Sequence, residues 1–218
     1  MVSINRSISK SSTILQFAKT PQPGKVKTRL LPVLTPDQAA ILHQNLLTHV
    51  ANVAAQVEGV SHQLWSTAGG EFIESLANQN SSAHYLQVGE DLGKRLAYAV
   101  EQTIDHTDAV ILIGSDCPYL DTAYYLRVTE AICEGDNDLV IGPAHDGGYV
   151  LLALGKYYPE LFEGIAWGTE KVFEQTIAKA KQLSLKVKCD TILDDIDRPE
   201  DLAALRSNLM YQHLLAGL

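Results

Sequence analysis

Short uninterrupted apolar runs alternate along the chain with stripes of apolar residues spaced three and four apart. Ile14–Ala18 is the first run and has the length and composition of a buried strand. Thr35-Pro36-Asp37-Gln38 has the form of a capping box with proline in the first turn. Ala39, Leu42, Leu46, Val50, Val53 and Val57 follow at helical spacing, which predicts a long amphipathic helix packed on a sheet. His43 and His49 fall within it with no partner at ligand spacing, and read as surface histidines.

The alternation continues to the end of the chain. His62–Ala68 and Ala83–Val88 read as strands, separated by a Gly69-Gly70 turn and a short helix over Glu71–Ala77. Gly89-Glu90-Asp91 opens a helix with Leu92, Leu96, Val100 and Ile104 on one face. Ala109–Ile113 is uniformly apolar, as expected of a central strand in a parallel sheet. A helix over Ala123–Cys133 follows, then runs at Leu139–Gly142 and Tyr149–Leu154 flanking Asp146-Gly147-Gly148, a hairpin signal. Trp167 precedes a helix carrying Val172, Phe173, Ile177 and Ala180, and Lys186–Cys189 is a final short strand. Strands alternating with helices throughout predict an α/β sandwich, with residues 13–218 as one domain after a flexible polar leader over 1–12.

Composition narrows the partners. A formal charge of −9 and a pI near 5.2 exclude non-specific nucleic-acid binding, which needs a net basic face. Cys117, Cys133 and Cys189 show no C-x-x-C pairing, which predicts reduced structural cysteines and a cytoplasmic setting. No apolar run approaches the ~20 residues that span a bilayer.

Against this acidic background, Lys19, Lys25, Lys27 and Arg29 place four cations within eleven residues, interleaved with Pro21, Pro23 and Gly24, just after the first strand. A cationic, glycine-containing loop at the carboxyl end of a strand is where an open α/β sheet binds phosphate. The alternative is a solvated basic loop. It is not a Walker A loop, because Val26 rather than glycine precedes Lys27-Thr28, and no G-x-G-x-x-G occurs. Gly114-Ser115-Asp116 sets an acid at the tip of the most apolar strand, either facing a ligand or holding the turn before Pro118. Asp146 and its glycines read equally as a hairpin turn or a ligand-facing loop. Lys94 and Arg95 read as a solvated helix face, and Trp167 as core or as a stacking platform. Between Asp190 and Asp201 lie six carboxylates in twelve residues. Helix-dipole stabilisation accounts for Glu200 and Asp201 but leaves Asp194, Asp195 and Asp197 as an acidic loop suited to a hard divalent cation.

Five motifs in order, K-x-P-x-x-G-x-V-K-T-R-L at Lys19–Leu30, V-G-E-D-L-G-K-R-L at Val88–Leu96, G-S-D-C-P at Gly114–Pro118, D-G-G-Y at Asp146–Tyr149 and D-I-D-R-P-E-D-L at Asp195–Leu202, resemble the selenodomain-associated transferase family. That family lies within the nucleotide-diphospho-sugar transferase (GT-A fold) superfamily. The resemblance implies a Rossmann-like α/β/α sandwich with a mixed, mainly parallel sheet. It implies nucleotide contacts from Lys19, Gly24, Lys25, Lys27, Arg29, Gly93 and Arg95. It further implies Mg²⁺ or Mn²⁺ on Asp116, completed by Asp197, with Asp116 and Asp146 in catalytic roles. Ser115 departs from the D-x-D pair of many glycosyltransferases. The expected activity is glycosyl transfer from a nucleotide sugar to a small acceptor. The alternatives are nucleotidyl transfer from an NTP with release of pyrophosphate, and nucleotide binding without catalysis.

Overall fold

The computed structural model describes residues 11–218, and all but Ser11 and Ser12 of the expected leader lie outside them. Seven strands form one sheet: β1 Ser12–Ala18, β2 Val60–Ser66, β3 Ala83–Leu86, β4 Ala109–Ile113, β5 Leu139–Pro143, β6 Tyr149–Leu154 and β7 Val187–Cys189. The helices are α1 Pro36–Ala55, α2 Glu71–Gln79, α3 Leu92–Ile104, α4 Thr122–Cys133, α5 Val172–Gln182 and α6 Pro199–Ser207. Strand order is β3-β2-β1-β4-β6-β5-β7, with β6 alone antiparallel to its neighbours. This is the expected Rossmann-like three-layer sandwich with a mixed, mainly parallel sheet.

Period-two alternation divides each central strand between two cores. Val110 and Leu112 of β4 join Leu96, Val100 and Phe162 beneath α3 and α5. Ala109, Ile111 and Ile113 join Val50, Tyr125 and Val128 beneath α1 and α4. β4 is central as expected, but only β1 lies parallel to it, since β6 returns from a hairpin. β1 begins at Ser12, two residues before its apolar run, because Ser12 is buried and pairs with Thr129 through their hydroxyls.

α1 starts on the predicted capping box: the Gln38 amide donates to the Thr35 hydroxyl, and the Thr35 amide to the Gln38 side chain. Its histidines depart from expectation. His43 is buried within the apolar stripe and His49 half-buried at its margin. At the carboxyl edge of the sheet, the tips of β1 and β4 meet the β5–β6 hairpin and the acidic loop before α6. Ala144 bridges Leu193, and the Ile196 amide donates to the Asp116 carbonyl at 2.9 Å, which fixes that loop beside β4.

Candidate active site

A two-lobed cleft opens along this edge. The larger lobe, about 740 Å³, is lined by the basic loop with Lys19, Lys25, Lys27 and Arg29, and by Thr67, Gln87 and Arg95. The smaller, about 340 Å³, is lined by Leu92, Leu96, Tyr149, Val150, Trp167 and Val172. Arg29, Asp116, Asp146, Trp167 and Asp195 line both.

Asp116 is the hinge between the lobes. One oxygen, Oδ1, is buried 2.6 Å from Lys27 Nζ and 3.6 Å from His43 Nδ1, while the side chain as a whole remains 42% exposed. Burial of that edge opposes ionisation, yet Lys27 and His43 outweigh it and hold the carboxyl well below the usual carboxylate range. The anion is therefore fixed on one side and open to the cleft on the other.

Lys27 has a different partner from the expected phosphate. Its side chain is only 2% exposed, and its ammonium also donates to the Ile196 carbonyl. Its left-handed backbone, φ 49°, starts the 3₁₀ turn Thr28–Leu30, and its burial sets it apart from the exposed Lys25 and Arg29. A buried ammonium needs a carboxylate more than a ligand does, so Lys27 orients Asp116. His43 approaches the same oxygen from α1: its Nε2 lies 2.8 Å from the Lys19 carbonyl and its Nδ1 3.6 Å from Asp116 Oδ1.

The remaining cations are distributed unequally. Lys19, Lys25, Arg29 and Arg95 line the large lobe. Arg29 also binds Asp197, and Arg95 donates through Nε to the Gly89 carbonyl, so Arg95 is not the purely solvated residue its helix face allowed. Lys94 pairs with Glu90 at a solvated surface, as expected. Neither expected glycine lines the cleft. Gly24 is needed for its φ of +75°, and a Cβ there would meet nothing. Gly93 is needed for packing, since a Cβ would strike Trp167 Nε1 and the Phe162 carbonyl.

Asp146 holds the hairpin turn and also lines the cleft. Its Oδ1 accepts from the Gly148 amide at 2.9 Å within the hairpin turn, and the residue lines both lobes. In the acidic loop, Asp194 turns outward to His145, whereas Asp195 and Asp197 line the cleft. Burial, reinforced by Asp116, Asp146 and Asp197, pushes the Asp195 carboxyl up to about 7. Ser115, where a D-x-D pair would have its first acid, is buried; its hydroxyl donates to the Phe17 carbonyl and accepts from Gln16.

Among the described residues no three His, Cys, Asp or Glu side chains form a ready metal cage. A hard cation held jointly with substrate phosphates needs only one or two protein carboxylates. The open side of Asp116 and the Asp195 carboxyl, whose ionisation is opposed by burial and by neighbouring carboxylates, fit such a cation, while Asp197 is engaged by Arg29.

The architecture recurs in solved structures. A "putative nucleotide-diphospho-sugar transferase" from Desulfovibrio desulfuricans G20 is 29% identical over 93% of both chains, with a TM-score of 0.80. Glucosyl-3-phosphoglycerate synthase from Mycobacterium tuberculosis, solved with Mg²⁺ and UDP, is 14% identical over 95% of this chain and 79% of its own, TM-score 0.56. A cytidylyltransferase from Leptospira borgpetersenii is 16% identical over 93% of this chain and 87% of its own, TM-score 0.56. The two distant likenesses establish the shared fold. No curated protein matches the sequence. A family model described as "Uncharacterized protein conserved in bacteria (DUF2064)" matches residues 49–169, more than half of the chain, and the chain belongs to that family.

Proposed function

We propose that the protein is a metal-dependent transferase that moves a glycosyl group from a nucleoside-diphosphate sugar to a small acceptor without a phosphate. One observation carries the reading: the cations are concentrated in the large lobe, and Arg29, already paired with Asp197, is the only one shared with the smaller lobe. A donor diphosphate suits the first lobe, where Lys19, Lys25 and Arg95 offset the carboxylates that line both, and an uncharged acceptor the second, where none of those three cations reaches. The ordered motifs add support for a place among the selenodomain-associated transferases.

Lys19, Lys25, Arg29 and Arg95 bind the diphosphate. Asp116 and Asp195 would hold Mg²⁺ or Mn²⁺, which supplies charge stabilisation for the departing diphosphate. Lys27 and His43 keep Asp116 ionised and fixed, so little reorganisation is needed as charge develops. The sugar–phosphate bond breaks with its electrons passing to the diphosphate. The acceptor oxygen bonds to the sugar carbon and gives its proton to Asp146.

Nucleotidyl transfer is the second reading, favoured by the buried Ser115, which leaves a single acid at the strand tip. With a phosphate as acceptor it is disfavoured, because the small lobe offers no unpaired cation; with a hydroxyl as acceptor it is separated by the products alone. A thermal-shift screen of sugar nucleotides and NTPs with Mn²⁺, followed by product analysis, separates the two. The expected result is stabilisation by a sugar nucleotide and release of a nucleoside diphosphate on turnover. Pyrophosphate released from an NTP, with no response to any sugar nucleotide, overturns the proposal.

A further inference from the structure

On the face of α1 away from the cleft, His49 meets His213 of the C-terminal 3₁₀ turn Gln212–Leu215. His49 Nε2 lies 3.1 Å from the Pro118 carbonyl, and His213 Nδ1 lies 3.0 Å from the Met210 carbonyl. A carbonyl has no proton to give, so each of these nitrogens is the N–H of its ring. The two remaining nitrogens, His49 Nδ1 and His213 Nε2, therefore both carry lone pairs in the neutral rings. They face each other at 3.4 Å.

Two lone pairs so placed require something positive between them, either an extra proton or a cation. The geometry accommodates the cation. A straight N–H···N bond of that length would put the ring centroids about 5.7 Å apart, allowing ~1.15 Å from each centroid to its nitrogen. The centroids are 5.3 Å apart, so the two ring axes are bent rather than collinear. A tetrahedral Zn²⁺ at ~2.05 Å from both nitrogens would separate them by about 3.4 Å and the centroids by about 5.2 Å.

We propose that His49 Nδ1 and His213 Nε2 form a binding site for a borderline divalent cation of the Zn²⁺ class. Both rings already donate their other N–H to a backbone carbonyl, the arrangement that fixes tautomer and orientation in histidine metal ligands. Burial lowers the pKa of His49, with the neighbouring His213 adding to the effect, which favours the neutral form a metal requires. His213 is exposed, so water completes the coordination. Two protein ligands make a modest, exchangeable site rather than a structural cage. The site joins the C-terminal turn to α1 and, through the Pro118 carbonyl, to the loop that carries Asp116. It stands independently of the glycosyl-transfer reading.

The test is calorimetric titration of the tag-free full-length chain with Zn²⁺, in a Lys27→Met/Asp116→Asn background that removes the Asp116 carboxylate from the cleft without stranding the Lys27 ammonium. One Zn²⁺ per chain is expected, with a raised melting temperature on saturation. His213→Ala, an exposed substitution, is expected to weaken binding about tenfold or more, whereas His106→Ala on a remote surface leaves it unchanged. Co²⁺ in place of Zn²⁺ is expected to give a tetrahedral visible spectrum that His213→Ala abolishes. Absence of Zn²⁺ binding, or binding of equal strength in the His213→Ala variant, overturns the proposal.

Discussion

The ammonium of Lys27 sits 2.6 Å from Asp116 Oδ1, with the lysine side chain 2% exposed and the aspartate 42% exposed. The pair divides labour: a buried cation holds an anion whose other side faces the cleft. Replacing Lys27 by methionine leaves Oδ1 buried without its main compensating charge. A loss of about 2–3 kcal/mol is expected, below the usual figure for a fully buried pair because the aspartate is partly solvated. The native pKa of Asp116 lies below its unfolded value, so the pairing stabilises the protein above about pH 4 and is lost as pH falls further. Denaturant midpoints of wild type and Lys27→Met should therefore converge in acid; a constant difference would assign the loss to packing.

Asp116→Asn strands the Lys27 ammonium in turn and is expected to cost both stability and the metal response. The double variant Lys27→Met/Asp116→Asn should recover much of the stability but none of the response to Mn²⁺. Recovery of metal-dependent binding in the double variant would remove Asp116 from the metal site.

Arg95→Ala is expected to weaken binding of a nucleoside diphosphate about tenfold to a hundredfold, the loss of one charge-assisted contact. Arg29→Ala should do the same, reduced by whatever its pairing with Asp197 already withdraws. Lys94→Ala, one residue from Arg95 but bound to Glu90 at the surface, serves as the control and should titrate like wild type. Equal losses in all three would indicate long-range electrostatics rather than contact.

Gly93→Ala forces a methyl group into Trp167 and the Phe162 carbonyl. Overpacking of this kind costs about 1–3 kcal/mol, and Trp167 lines both lobes. Lower stability with a shifted Trp167 fluorescence spectrum is expected. Normal stability with an unshifted spectrum would mean that the helix moves instead.

His62 is buried between Ser82 Oγ at 2.6 Å and Gln16 Oε1 at 3.0 Å, and burial pushes its pKa down to about 4. The unfolded chain binds this proton near pH 6.5, so stability falls as pH drops from 6.5 towards 4, by up to about 3 kcal/mol. His62→Gln should flatten this part of the stability–pH curve; an unaltered slope would place the proton uptake elsewhere.

The fold was legible because its signals are local and repeated. The apolar Ala109–Ile113, the capping box at Thr35 and the hairpin at Asp146-Gly147 each form where periodicity and turn chemistry put them. The cleft was legible as a neighbourhood, since loops after β1 and β4 must meet at one edge. Individual roles were not. Lys27 and Arg29 are alike in sequence, yet one is buried beside Asp116 and the other solvated. That difference depends on a left-handed backbone at Lys27 and on the acidic loop passing 169 residues away in the chain. His43 could have been found: Ala39, His43, Leu47 and Val50 share the buried stripe of α1, a poor place for a surface histidine. Asp195 could not be told from Asp194 and Asp197, because side-chain direction in an irregular loop has no period.

The reversal of β6 has a consequence for how such a protein can diversify. Because β6 runs backwards, its hairpin with β5 opens onto the same edge as the tips of β1 and β4. The hairpin carries Asp146 without being threaded between the strands that carry the basic loop and Asp116. Residues can be exchanged or inserted there at small cost to the parallel half of the sheet. A single reversed strand thus makes the two ends of the cleft separable units of variation, so that one half can be retained while the other is rebuilt.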